Sequence, residues 1–331
     1  MADTTTTTNI PAMQDAMAVR ALIKRNVPYA VFDLFGGTFP FSRREGMTIR
    51  RRKYDAPVAV NVASSEGITP PASKPSPTDY EATIKQYIGW SEISDVVAES
   101  SIEAVEAEIV EWLNEKMWTT RELVYRDLLL GGTSVYYGNG AVSRGTTTSK
   151  ALFADLQNIE RQMFQNKARY FSAMTKGAAA YGTAPIGAAY IIVAHVDTKK
   201  DFESMTNWKP VELYASQIQT YPSEVGSVGN FRVIMTQLAE VYADAGSVIG
   251  AGTTYNGTTG VGCDIYPLLI FGKNAYDVIP FDALSTKLIK HPFGHGDDPA
   301  EQRETMAYKF ATSLMITDQL SMYRYEVCAS V

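Results

Sequence analysis

Three histidines, two cysteines and two glycine-rich stretches are where this chain could carry chemistry. His291 and His295 stand four apart beside Asp297 and Asp298, a set of imidazole and carboxylate donors that suits a divalent metal and metal-assisted hydrolysis. A helix would place both rings on one face, but Pro292 and Gly294 make this stretch a loop. The rings are therefore expected apart, in a polar surface loop. The third histidine is His195. Gly250-Ala251-Gly252 and Gly257 to Gly262 lack the Lys-Ser/Thr ending of a phosphate loop, and neither has a strand–glycine–helix setting. No Gly-x-Ser-x-Gly elbow is present, and neither cysteine has a histidine nearby. Cys263 and Cys328, far apart in sequence and without metal-ligand spacing, read as isolated buried thiols rather than a disulfide scaffold. The search yields no catalytic centre, no cofactor and no metal site.

The elements that would have to position such residues point elsewhere. Gly46 to Val60 reads as a strand, Ser64 to Thr78 as a Pro- and Ser-rich tip, and Asp79 to Val96 as a returning strand. Pro70-Pro71, Pro75 and Pro77 strip backbone donors from the tip and oppose further strand addition. Tyr80, Ala82 and Ile84 alternate with Glu81, Thr83 and Lys85, and Ile88 and Trp90 continue the apolar side. A two-stranded ribbon of this length has no core of its own. Its burial must come from another molecule, which points to assembly.

Along the outgoing strand, Arg43, Arg44, Arg50, Arg51, Arg52 and Lys53 crowd together. Such a run can be a solvated edge that blocks unwanted pairing, a phosphate contact, or a set of cations meeting a neighbouring copy's carboxylates. The chain's excess acid favours the last. Exposed pairs contribute only about 0–1 kcal/mol each, so their value lies in register and partner choice.

Ser100 and Glu103 have capping-box spacing and open a helix predicted to last until Gly131-Gly132. Ile102, Val105, Ile109, Leu113, Met117, Val124 and Leu128 form its apolar stripe, and acidic residues crowd its first half, where the helix dipole favours them. Upstream, Met13 to Lys24 suits a short amphipathic helix, and Tyr29 to Phe35 a strand. Downstream, Ser149 to Lys167 reads as a helix. Ala188 to Val196, Phe231 to Met235, Ile265 to Phe271 and Tyr276 to Ile279 read as strands. Glu304 to Cys328 is β-prone and placed to pair with the arm's base. Without strict βα alternation, the fold class is α+β.

The 331 residues suffice for two compact units or one unit with large extensions, and 45% hydrophobic with 20% charged residues is ordinary for a folded protein. A net charge of −6 argues against a dedicated nucleic-acid binder, while an acidic surface tolerates nearby DNA without adhering to it. No apolar run reaches membrane-spanning length, so no membrane partner is expected. Met1 to Asn9 is Thr-rich, lacks a hydrophobic signal core and suits a short disordered tail.

Eight segments, in this order and spacing, carry a family resemblance: Pro28 to Gly36 (PYAVFDLFG), Thr48 to Pro57 (TIRRRKYDAP), Ser65 to Pro70 (SEGITP), Ile84 to Val96 (IKQYIGWSEISDV), Gly131 to Tyr137 (GGTSVYY), Ala188 to Asp197 (AAYIIVAHVD), Ser223 to Phe231 (SEVGSVGNF) and Gly272 to Phe281 (GKNAYDVIPF). Together they resemble the major capsid proteins of tailed bacteriophages, the N-four-like (coliphage) group with the HK97-like fold. The resemblance implies an N-arm over 1–37, an extended E-loop with its base strands over 38–95, a peripheral domain with a long spine helix over 96–131 plus 289–331, and an axial domain over 132–288. It implies a shell subunit of the virion, assembled in the host cytoplasm into hexamers and pentamers of an icosahedral head around double-stranded DNA. A portal protein would be a partner, and any scaffold or decoration protein would be a separate chain. Inter-subunit contacts are expected at Arg43, Arg44, Arg50, Arg51, Arg52, Lys53, Ile84, Ile88 and Trp90. Some relatives crosslink an E-loop lysine to a neighbour's asparagine; Lys74 and Lys85 qualify by position, but no matching asparagine is identified. Two other readings stand beside this one, an encapsulin-type nanocompartment shell and a metal-dependent hydrolase using His291, His295 and Asp297.

Overall fold

The computed structural model describes residues 30–42, 46–63, 66–67, 69, 72–100, 105–171, 187–214, 221–248, 255–281, 287–295 and 299–331. The expected helix over Met13 to Lys24, the Thr-rich start, and Arg43 and Arg44 lie outside these residues.

The strand expected over Tyr29 to Phe35 does not form. Phe32 to Leu34 is a turn, in which the Leu34 amide donates to the Val31 carbonyl (3.2 Å). Its cause is Glu122, whose Oε2 accepts from the Val31 amide (3.2 Å) and the Phe32 amide (3.0 Å) and so satisfies donors that a ladder would have used. Val31, Phe32 and Phe35 are thereby fixed in the core, and only then does the short strand β1 (Gly37–Thr38) begin.

Strands β2 (Thr48–Tyr54) and β3 (Pro77–Thr83) form the expected antiparallel arm. Ile84 interrupts the return, so the predicted single strand is two, β3 and β4 (Lys85–Ser94). The predicted helix is likewise two, α1 (Asp95–Ser100) and α2 (Val105–Leu130). Instead of capping, the Ser100 hydroxyl donates back to the Val96 carbonyl; Glu103 lies outside the described residues. Twenty-six residues at about 1.5 Å each make α2 a rod of roughly 39 Å. Its buried face runs through Leu113, Met117, Glu122, Tyr125 and Leu129. The stripe therefore turns one position beyond the expected Val124 and Leu128 in the last two turns, and Leu128 stays exposed.

The rest of the chain supplies β5 (Val135–Tyr137), α3 (Phe153–Gln165), β6 (Tyr190–His195), α4 (Lys199–Glu203), β7 (Trp208–Pro210), β8 (Glu224–Val228), β9 (Phe231–Thr236), β10 (Tyr266–Phe271), β11 (Tyr276–Pro280), β12 (Lys287–His291), β13 (Arg303–Ile316) and β14 (Met322–Val327). Seven of these strands form one sheet in the order β5-β14-β10-β6-β9-β8-β7. Both faces are covered. Tyr190, Ile192, Ala194, Leu268 and Ile270 face α3, while Ile191, Val193, Leu269 and Phe271 meet α2, the Val31–Phe35 turn and β11. Such two-sided burial explains why β6 and β10 read as unbroken apolar runs.

In the second sheet β13 is central. It pairs with β4 over ten positions, from Arg303 opposite Ser94 to Thr312 opposite Lys85, and with β11 and then β12 along its other edge. The C-terminal segment thus returns to the arm's base as expected. Strand β11 shares a sheet with β13, while β14 lies inside the seven-stranded sheet.

Burial raises the pKa of Glu122 above the ordinary carboxylate value, and the two backbone amides only partly oppose the shift. Between the ordinary and the raised value the folded chain holds more proton than the unfolded one, so stability is fullest below that window and falls as pH rises through it. Glu122→Gln should flatten this slope in urea melts at a series of pH values. Glu122→Ala, which leaves both amides without an acceptor, should cost about 2–4 kcal/mol.

Candidate assembly surface

The arm is latched by its own cations. The β2–β3 register sets Arg50 opposite Glu81 and Arg52 opposite Asp79, and each pair forms an ion pair. Arg52 grips Asp79 with two hydrogen bonds (2.7 and 3.0 Å), which holds that carboxyl below the usual range. The alternate residues face the body of the chain. Arg51 pairs with Asp277 of β11 and lies 4.9 Å from the centre of the Phe39 ring, and Lys53 reaches Asp318 (3.2 Å). Arg50, Arg51, Arg52 and Lys53 each meet a carboxylate within the chain. A sequence signal for half of this existed, since R-x-R facing D-x-E is a complementary cross-strand pattern.

Ile84 also turns inward. It is 1% exposed and packs with Phe41, Ile49, Ala82, Ile279 and Met315. Where β3 gives way to β4, the chain tucks this side chain under the arm's base, and the Ile84 amide donates to the Met47 carbonyl (2.9 Å). Ile88 and Trp90 point the other way, 62% and 57% exposed. On β4 the alternate residues Tyr87, Gly89 and Ile93 turn towards α2: Tyr87 stacks on Phe310 (5.4 Å), Gly89 gives way to the Tyr308 ring, and Ile93 packs with Leu113 and Met117. One face of this sheet is thus covered by α2. The other, through Ile88, Trp90 and their ladder partners Lys309 and Ala307, is open.

Beyond Tyr54 every described residue from 55 to 76 is exposed. Val58, Val60 and Val62, at 92%, 84% and 76% exposure, keep strand alternation without a strand partner among the described residues. Three branched apolar side chains at alternate positions are costly to leave in water.

The chemistry-bearing residues fall out differently. His291 ends β12, and a turn through Gly294 (φ +77°) folds back so that the His291 and His295 rings lie 4.1 Å apart, contrary to the expectation that the loop separates them. Asp297 and Asp298 lie outside the described residues, as do Gly250 to Gly252. Among the described residues no group of three or more His, Cys, Asp or Glu is arranged to hold a metal. In the loop from Gly257 to Gly262, the Thr258 amide donates to Asp264 (3.0 Å) and the Thr259 amide to Asp244 (3.1 Å). Those amides are committed to carboxylates, so they cannot cradle a phosphate. Cys263 and Cys328, expected to be isolated, meet with sulfurs 2.8 Å apart.

An α+β subunit with a long two-stranded arm, a spine helix and a large mixed sheet has the HK97-like fold of phage capsid proteins. Solved structures match the chain almost end to end. The capsid of Ralstonia phage GP4 matches with a TM-score of 0.67 at 12% identity, covering 100% of this chain and 99% of that one. The capsid of cyanophage P-SCSP1u gives 0.64 at 11%, covering 100% and 97%. A structure from Mycobacterium phage Che8 gives 0.63 at 9%, covering 96% and 98%. No protein-family model and no curated protein matches the chain. The likeness is one of fold, and the narrower N-four-like group remains a resemblance of sequence segments.

Replacing Arg51 and Lys53 by alanine should unlatch the arm without unfolding the chain. Exposed pairs of this kind contribute about 0–1 kcal/mol each, so denaturant midpoints should barely move. Limited proteolysis within residues 55–76 should accelerate several-fold, and an unchanged cleavage rate would remove the latch from the account.

Proposed function

We propose that this chain is the major capsid protein of a tailed bacteriophage, a shell subunit that assembles into hexamers and pentamers of an icosahedral head. The observation that carries this reading is the end-to-end match, over 96–100% of the chain, to structures that include two phage capsids. The unburied arm supports it independently, because the described residues from 55 to 76 are all exposed and include Val58, Val60 and Val62. Residues 38–95 then act as the E-loop, α2 as the spine of the peripheral domain, and the seven-stranded sheet as the framework of the axial domain.

In this reading the arm of one copy lies across a neighbour, with Val58, Val60 and Val62 supplying apolar contact. The open face at Ile88 and Trp90 receives part of another copy. Fully burying a valine contributes about 1.5–3 kcal/mol, so each contact is modest and the closed shell gains strength by repetition. Head-to-tail contacts of this sort close into rings when their rotation allows. The acidic chain tolerates packaged DNA nearby without adhering to it. A portal and any separate scaffold or decoration protein complete the proposed partners, with assembly in the host cytoplasm and final residence in the virion.

Two variants test the proposal. Deleting residues 56–76, or introducing Ile88→Asp with Trp90→Asp, should leave the circular dichroism spectrum and melting temperature close to those of the parent. The yield of closed shells seen by electron microscopy and sedimentation should drop at least about tenfold, because many copies of each contact are lost together. Normal shell yield from both would refute the assigned contacts. Shells of the parent chain filled with a cargo enzyme instead of DNA would transfer the reading to a nanocompartment.

A further inference from the structure

Cys263 and Cys328 come from distant parts of the sequence, 65 residues apart, yet their sulfurs are 2.8 Å apart. That separation lies inside ordinary contact of two thiols and less than about 1 Å beyond the 2.05 Å of a sulfur–sulfur bond. The backbone is held on both sides. The Cys263 amide donates to the Ser247 carbonyl (3.0 Å) and its carbonyl accepts from the Gly246 amide (2.9 Å), while the Cys328 amide donates to the Ser149 carbonyl (2.9 Å). Both sulfurs lie near one acceptor, the Thr147 carbonyl, at 3.5 and 3.7 Å. Gly246 supplies the room, since a Cβ there would collide with the Cys263 sulfur. Both side chains are buried, beneath Tyr242, Ala245, Tyr255 and Ile265.

We infer that Cys263 and Cys328 form a disulfide when the chain meets a low-molecular-weight disulfide such as oxidised glutathione, tying the 242–265 segment to the chain end beyond β14. One cysteine thiolate attacks the small disulfide, giving a mixed disulfide and releasing one small thiol. The second thiolate then attacks the protein sulfur of that mixed disulfide, closing the Cys263–Cys328 bond and expelling the other small thiol. The two protons lost by the protein thiols end on the two small thiols, and the small disulfide takes up both electrons. Burial raises the Cys328 thiol's pKa well above its ordinary value, with Cys263 adding to the shift. The thiolate is therefore scarce in the closed structure, and exchange proceeds through opening of this corner. In a reducing compartment the pair stays dithiol, and it closes after passage to oxidising surroundings.

The full-length chain, equilibrated in oxidised or in reduced glutathione, alkylated with N-ethylmaleimide under denaturing conditions and weighed intact, decides the matter. The oxidised sample should carry no adduct and weigh about 2 Da less than the unalkylated dithiol chain, and the reduced sample should carry an adduct on each cysteine. Its melting temperature should exceed the reduced one by roughly 5 °C, as expected for a bond closing a long loop. Cys328→Ser and, should that variant fold poorly, Cys263→Ala should abolish the redox dependence. Two adducts on the oxidised sample, even after refolding from denaturant in the same buffer, would overturn the inference, as would a bridge found between chains.

Discussion

Strand β13 is hydrogen-bonded along both edges, and the rest of the molecule hangs from that ladder. On one side it holds β4, the strand that continues out of the arm; on the other it holds β11 and then β12. Its side chains serve both faces. Met306, Tyr308 and Phe310 pack beneath α2, while Ala311 and Met315 meet the arm's base at Ile49, Ala82 and Ile84. Strand register is discrete, so a slip of one residue would move Phe310 from the helix to the opposite face and break both cores together. The direction in which the arm leaves the body is therefore set by a residue stretch more than 200 positions away in the chain. Arg51 and Lys53 only refine that direction.

The Glu122 carboxylate is the second junction, and it works against solvation. A carboxyl group buried this deeply is expensive, and here it is kept because it holds a turn that no ladder holds. Tyr276 completes the arrangement, its hydroxyl donating to the Phe32 carbonyl (2.6 Å). The turn at Val31–Phe35 consequently fills the gap between α2 and the larger sheet. Widely separated segments of sequence share one core there.

Much of this was legible in the sequence, and what was not has identifiable causes. The apolar runs of β6, β9 and β10, the Pro-rich tip and the long helix all follow from local pattern, and the pairing of the C-terminal strand with the arm's base followed from its β-prone composition. Tyr-Ala-Val-Phe is β-prone and predicts a strand where the Val31–Phe35 turn forms, and the override comes from Glu122, some 90 residues distant. Ile84 keeps the apolar alternation of Tyr80 and Ala82 and packs in one cluster with them, but the break between β3 and β4 ends that face, and Ile88 and Trp90, which the pattern reads as its continuation, stand exposed. The cations were seen as a cluster, yet only pairing register shows which carboxylate each one meets. Cysteine proximity across 65 residues has no sequence signature at all.

Under the proposed function, satisfied surface serves folding and unsatisfied surface serves assembly. Every cation described in the arm's outgoing strand has a partner within the chain, so charge contributes little that is left over. What remains open is apolar: Val58, Val60 and Val62 on the arm, Ile88 and Trp90 on the sheet. Apolar contact is non-directional and tolerates small changes of angle, whereas an ion pair fixes geometry. Under the proposed function, copies in five-fold and six-fold rings would meet their neighbours at more than one angle. Keeping the directional interactions inside the subunit and the forgiving ones at its boundary suits that demand, and it moves the weight of the proposed interface from the arginines to the exposed valines and Trp90.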